Sequence, residues 1–354
     1  MQRESLFHHV TWSFLHYRDI RTLRQCNKLL NNEWTAAFLK SETFKFPFDP
    51  MIPVHISNGA KRLKLSHSTQ NKKFSYCKFT RNFERALQPG QLPDHLLHFS
   101  LGSTYNLELS PNVLPCTLLS FDMGIKFNCE LGKGVLPSSL EQLKMSCNFN
   151  QLLVPGVLPK NLSELLLGDM FNHPLEPKVF PEKLLKLHLG DEFNQPLVPK
   201  MFPQNLMNLC FGDRFDQPLL LGVLPPTLTY LRMGSDFNQP ILHGVLPPSL
   251  VHLCMGSDFN QLLLPGTLPP NLSTLRLGFA FNQPLDRGVL PPTILHLKLG
   301  WEFNQQLTIG MLPQSLQSFK MGNSYNYCRK FLQLLFNTRR VTSKFITFYN
   351  EPKL

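Results

Sequence analysis

The amino-acid sequence predicts a repeat solenoid made of parallel β-sheet coils of 22 residues, each stacked on the one before. Three observations carry that prediction. An aromatic residue recurs at Phe83, Tyr105, Phe127, Phe149, Phe171, Phe193, Phe215, Phe237, Phe259, Phe281, Phe303 and Tyr325, always 22 residues apart. A Leu-Pro or Phe-Pro pair follows at the same spacing, from Leu92-Pro93 to Leu312-Pro313. Between that pair and the next aromatic stands a short alternating apolar run that ends in Gly, as in Leu187-His188-Leu189-Gly190.

Counting the aromatic as position 1, position 2 is Asn in ten of twelve cases, with Glu84 and Asp216 the exceptions. Position 5 is Leu or Ile, and positions 14, 17 and 19 are Leu, Ile, Phe or Met. Positions 17 and 19 point the same way from an extended chain, because side chains alternate along a strand. The Pro at position 11 has no N–H to give to a ladder, which suits a bend before the strand. The Gly at position 20, replaced only by Ser146, suits either a positive φ or close packing of one coil on the next. Frequent prolines, such as Pro174, Pro196, Pro240 and Pro284, argue against helix as the dominant element. The Asn column is expected to be buried, bonding turn backbone and the coils above and below. A single unit buries too little to offset the entropy of ordering it, so the units must stack and be capped.

The run Phe281-Asn282-Gln283-Pro284-Leu285 and its siblings resemble the FNIP repeat, across residues 83–326 as eleven repeats. That family, found chiefly in social amoebae and in giant viruses that infect amoebae, looks like a variant of the leucine-rich repeat. The resemblance therefore implies leucine-rich-repeat-like coils. The Asn here stands ten residues after the first strand Leu, later than in the L-x-x-L-x-L-x-x-N leucine-rich spacing.

Outside the repeats the pattern changes. Leu6, Val10 and Phe14 fall at helical spacing, and Asp19 can cap a second helix running to about Trp34. Residues 1–47 are thus expected to be a small α-helical head. With Leu15, Ile20 and Leu23 its apolar pattern resembles the first part of an F-box. That resemblance implies docking onto the adaptor and cullin complex of an SCF-type ubiquitin ligase through Leu6, Val10, Phe14, Leu15, Ile20 and Leu23. The Leu-Pro usual at the start of an F-box is missing, and Leu30 stands where a Trp is expected. The alternative is a plain N-terminal cap on the first coil. Residues 48–82 read as a transition, with irregular strands at Leu63–Leu65 and Phe74–Phe79; residues 327–354 read as a C-terminal cap, helical over Tyr327–Leu335 and β-rich over Val341–Tyr349.

Charge and cysteine narrow the function classes. The net charge of +11 lies at the ends, with residues 1–82 at +9, residues 83–325 at −3 and residues 326–354 at +5. No basic stripe of the whole solenoid follows, which argues against nucleic acid as the partner. The eight cysteines include no C-x-x-C, and Cys210 and Cys254 lie two coils apart, too far for a disulfide. Reduced thiols point to the cytoplasm or nucleus, or to the host cytoplasm for a viral protein. Met1–Val10 has no uninterrupted apolar run, so no signal peptide is expected, and no run is long enough for a membrane span.

No phosphate-binding loop, nucleophile elbow or H-E-x-x-H appears, and no cofactor or metal is implied, so an enzyme is not expected. The variable positions lie on the strand instead. Position 18, between the two inward residues, carries Lys144, His188, Arg232, Arg276, Lys298 and Lys320, and position 16 carries Tyr230, His252 and His296. Asp169, Asp191, Asp213, Asp236 and Asp258 form an acidic strip beside them. Variable outward residues on a uniform scaffold read as a surface that binds protein.

Overall fold

A computed structural model describes residues 54–56, 76–79, 85–308, 310–322 and 346–349, with side chains between 85 and 322. Among the described residues, fourteen strands form one parallel sheet in strict chain order. They begin with β1 (Val54–Ile56), β2 (Tyr76–Phe79), β3 (His98–Ser100), β4 (Ser120–Asp122) and β5 (Gln142–Lys144). Next come β6 (Glu164–Leu166), β7 (Lys186–His188), β8 (Asn208–Cys210), β9 (Tyr230–Arg232) and β10 (His252–Cys254). The last are β11 (Thr274–Arg276), β12 (His296–Lys298), β13 (Ser318–Gly322) and β14 (Ile346–Tyr349). Consecutive parallel partners with one strand per coil make this a parallel β-solenoid.

The period sets the register. Ser120 opposes His98 and Leu253 opposes Leu231, each partner 22 residues away, so every repeat position stacks on itself. The same offset joins Tyr76 to His98, which extends the coil pattern one turn ahead of Phe83 into the stretch read as a transition. Val54 pairs Cys77 and Phe319 pairs Ile346, where the offset departs from 22. The β-rich C-terminal stretch therefore contributes β14, whereas β1 lies outside either strand expected in the transition. The two head helices, Leu63–Leu65 and Tyr327–Leu335 lie outside the described residues.

Stacking in register turns each apolar position into a spine. The position-1 rings lie face to face along the core, as Phe237 on Phe259 at 6.1 Å and 9° and Phe281 on Phe303 at 6.1 Å and 1°. Positions 5, 10, 14, 17 and 19 are buried with them, apart from the half-buried Leu316. Position 9, mostly Val, joins the core through Val113, Val135, Val223 and Val289. Because every coil presents the same shape to its neighbour, burial in one coil depends on the coils on either side.

Turn geometry divides the glycines by role. At position 20, a Cβ on Gly190, Gly212, Gly234, Gly256 or Gly278 would overlap the carbonyl oxygen of the residue 22 earlier. Close approach of coils is what these glycines serve; Gly124, whose Cβ would overlap the Gly102 oxygen, combines it with a positive φ. The left-handed column is position 8, where Gly222, Gly244, Gly266 and Gly288 have φ of 80 to 84°. Asn112, Lys178 and Lys200 occupy the same column with φ of 65 to 71°, a conformation that costs a non-glycine residue about 1–2 kcal/mol.

The Asn column is a correction. It is not buried: Asn106, Asn128, Asn150 and Asn172 are exposed, and Asn194 to Asn304 are half-buried. Each side chain nevertheless serves the next coil. Asn128 accepts the main-chain N–H of Asn150 at 2.8 Å, Asn238 that of Asn260 at 2.9 Å, and Asn282 that of Asn304 at 2.8 Å. The Gln at position 3 donates to the same oxygen, as Gln261 Nε2 does to Asn238 Oδ1 at 3.0 Å. The column sits at the coil's edge because its task is to satisfy backbone donors that the strand ladder does not reach. Position 13 carries a second such ladder; Thr227, Ser249 and Thr293 donate hydroxyls to main-chain oxygens of the previous coil, and Asn161, Asn205 and Asn271 donate amides.

Candidate functional site

The strands hold the candidate site. Their second residue is buried in every strand from β3 to β13, while the residues on either side point away from the core. Lys144 and Lys320 are exposed, and His188, Tyr230, Arg232, His252, Arg276, His296 and Lys298 are half-buried. Ser100 and Cys254 are buried at the same outward position, because neighbouring side chains close over small residues.

Parallel registry brings these residues together in two rows, with Tyr230 opposite His252 and Arg276 opposite Lys298. Tyr230 and His252 are in ring contact at 6.2 Å. Crowding governs their protonation. Burial pushes the His188 imidazole down to about 4, reinforced by Arg232, so it is neutral near pH 7. Burial also lowers His252, His296, Arg276 and Lys298 and raises Tyr230. The Cys210 thiol is pushed up to about 11 and Cys254 is raised, both by burial. Protonated, buried thiols are poor nucleophiles.

Charges across the early strands are matched. Asp122 meets Lys144 at 3.6 Å and Glu164 meets Lys186 at 3.4 Å. Arg214 lies between Glu192 at 3.9 Å and Asp236 at 3.4 Å, which ties the acidic strip at positions 21 and 22 to its own counter-charge. Among the described residues, no group of three or more His, Cys, Asp or Glu converges as a metal site. No helix among them is long and apolar enough to cross a membrane.

A second surface escaped the sequence reading. Position 6 carries Val198, Leu220, Leu242 and Leu264 on four consecutive coils, 43 to 64 % exposed. Sequence carries the signal, an aliphatic column next to the left-handed turn where polar residues are the norm, but periodicity alone does not separate it from the core columns.

The FNIP repeat pattern matches residues 83–126, 105–148, 149–192, 193–236, 237–280 and 281–324. The chain belongs to the FNIP repeat family. Each match spans two coils, and together they cover strands β3 to β13. The chain is similar to CroV588 of a giant virus, whose crystal structure is described as a novel circular LRR protein structure. The two are 36% identical with a TM-score of 0.70, over 78% of this chain and 39% of that one. This FNIP chain thus spans about two fifths of that protein's length. The functional domain of InlJ from Listeria monocytogenes, described as including a cysteine ladder, aligns over 65% of this chain and 45% of its own at 16% identity and a TM-score of 0.39. No curated protein matches the chain in sequence. Membership of the family and the likeness to CroV588 make the coils leucine-rich-repeat-like, a scaffold suited to protein interaction.

Proposed function

We propose that this FNIP repeat chain is a protein-binding scaffold that holds its partner on the outward faces of strands β5 to β13. The observation that supports this reading is the split between columns. Framework positions repeat the same buried residue and the same inter-coil bonds, whereas positions 16 and 18 differ from coil to coil and point out of the core. Uniform columns serve stacking; only the variable columns can distinguish one partner from another. The proposal extends to a cytoplasmic setting, in which the thiols stay reduced.

The finer reading makes the scaffold the substrate-recognition subunit of an SCF-type ubiquitin ligase, with Leu6, Val10, Phe14, Leu15, Ile20 and Leu23 on the adaptor. What supports it is the F-box-like pattern of the head. Removing residues 1–46 then abolishes co-purification of adaptor and cullin while the solenoid stays folded by circular dichroism. An intact chain from which adaptor never co-purifies leaves a scaffold with no ubiquitin role.

The strand-face reading is tested by affinity purification of the full chain from its native cell, followed by mass spectrometry. Tyr230→Ala with His252→Ala, or Arg232→Glu with Lys298→Glu, is expected to lose the principal partner. Leu220→Ser with Leu242→Ser and Leu264→Ser is expected to keep it. The reverse pattern moves the docking surface to the aliphatic column and overturns the proposal.

A further inference from the structure

The strand face changes its charge rule halfway along. In the early coils, opposite charges meet in register, as Asp122 with Lys144 and Glu164 with Lys186. From β9 onward the outward position reads Arg232, Cys254, Arg276, Lys298 and Lys320, with each residue the direct registry partner of the next. Position 16 beside it reads Tyr230, His252, Thr274, His296 and Ser318, so neither row contains a carboxylate over these five strands. Like charges directly opposite one another destabilise a sheet. Repulsion is evident within the row: Lys298 is lowered by burial and then by both Arg276 and Lys320, and His296 by burial and the same two cations.

The turn after the strand changes within the same stretch. Position 21 is Asp169, Asp191 and Asp213 in three consecutive coils, Ser235 and Ser257 after β9 and β10, and Phe279 and Trp301 after β11 and β12. These two rings stack at 6.3 Å and 13°, and Phe279 is 38 % exposed. A cation row and an aromatic pair therefore share one end of the sheet.

We infer that Arg232, Arg276, Lys298 and Lys320, flanked by the Phe279–Trp301 pair, dock an acidic protein segment that carries an apolar residue among its carboxylates. Arg276, Lys298 and Lys320, on strands about 4.8 Å apart, with Arg232 two strands back, match a chain whose carboxylates reach them on flexible side chains, and the ring pair takes the apolar residue. A protein segment fits better than a nucleic acid. Asp213, Asp236 and Asp258 follow β8, β9 and β10 along the same edge, so a regular phosphate chain running past Arg276 toward Arg232 meets carboxylates, whereas a peptide can change charge there. The inference deepens the strand-face reading and rests on it.

Fluorescence anisotropy on the full chain tests it with three labelled probes: a decapeptide of Asp and Glu with one central Phe, its Lys counterpart, and oligo(dT). The acidic peptide is expected to bind at low salt and to weaken as salt rises. Arg276→Glu with Lys298→Glu is expected to weaken it about tenfold or more and to confer binding of the Lys peptide. Lys160→Glu with Lys178→Glu, the same charge change off the strand face, should leave it unaltered. Arg276→Gln with Lys298→Gln guards against misfolding, because it relieves repulsion; its thermal midpoint should hold or rise while peptide binding falls. No binding of the acidic peptide, equal binding by the Gln pair, or tighter binding of oligo(dT) each overturns the inference. If strand-face variants lose the native partner while the acidic peptide fails to bind, only the acidic-segment inference falls. If they keep the partner, the reading beneath it falls as well.

Discussion

Asn238 Oδ1 accepts the main-chain N–H of Asn260, one coil on, at 2.9 Å, and the same oxygen takes Gln261 Nε2 at 3.0 Å. Asn238 itself donates its own N–H to Asp216 Oδ1 at 2.9 Å, so a carboxylate performs the same task one coil earlier. The repeated Phe-Asn-Gln is therefore a stacking device: the ring fills the core, and the two polar residues join successive coils at its edge.

Removing that acceptor should cost measurable stability. Asn238→Ala leaves the Asn260 N–H and the Gln261 amide without their oxygen, and a half-buried unsatisfied donor costs about 1–3 kcal/mol. Asn238→Asp keeps an oxygen in place, as Asp216 does, and should cost less. Urea unfolding of the two variants at neutral pH checks the order.

Glycine substitutions should separate the two turn columns. Gly256→Ala puts a methyl into the Gly234 carbonyl and forces coils apart, so a loss of about 3 kcal/mol or more is expected. Gly244→Ala meets only Leu221 Cδ1 at 3.6 Å and suffers its positive φ alone, which costs about 1–2 kcal/mol. Lys200→Gly relieves that same strain and should raise the melting midpoint. Thermal unfolding of the three proteins is the measurement.

Acid should weaken the fold through its histidines. The folded pKa of His188 lies at about 4, below its ordinary value near 6.5, because burial disfavours the cation. The unfolded chain then binds more protons than the folded one between those values, so stability is lost as pH falls from about 6.5 toward 4. His252 and His296 are shifted in the same direction. His188→Gln should flatten part of this acid-side slope, read from urea midpoints at pH 7 and pH 4.5.

Much of this architecture is legible in the sequence. A fixed 22-residue period leaves the coils no freedom of register, so Leu231, Leu253 and Leu275 had to stack and the residues beside them had to point outward. Three features were not legible. The Asn column looked like a buried ladder because its invariance resembles that of Phe; its place at the edge depends on where the backbone leaves unmet donors. Position 8 hid its left-handed turn because Asn112, Lys178 and Lys200 stand in for Gly. The aliphatic column at Val198, Leu220, Leu242 and Leu264 repeats like a core position, and only the path of the turn shows that it faces solvent. The candidate binding residues were legible as variable columns, but the switch from paired charges to a cation row emerged only when the registry placed Arg276 opposite Lys298 and Lys298 opposite Lys320.

The most direct test of the strand-face account is hydroxyl-radical footprinting of the full chain with and without its purified partner. Bound partner is expected to protect Tyr230, His252 and His296 from oxidation and to leave Leu220, Leu242 and Leu264 unchanged. Protection of the three leucines with the strand residues still reactive would contradict it.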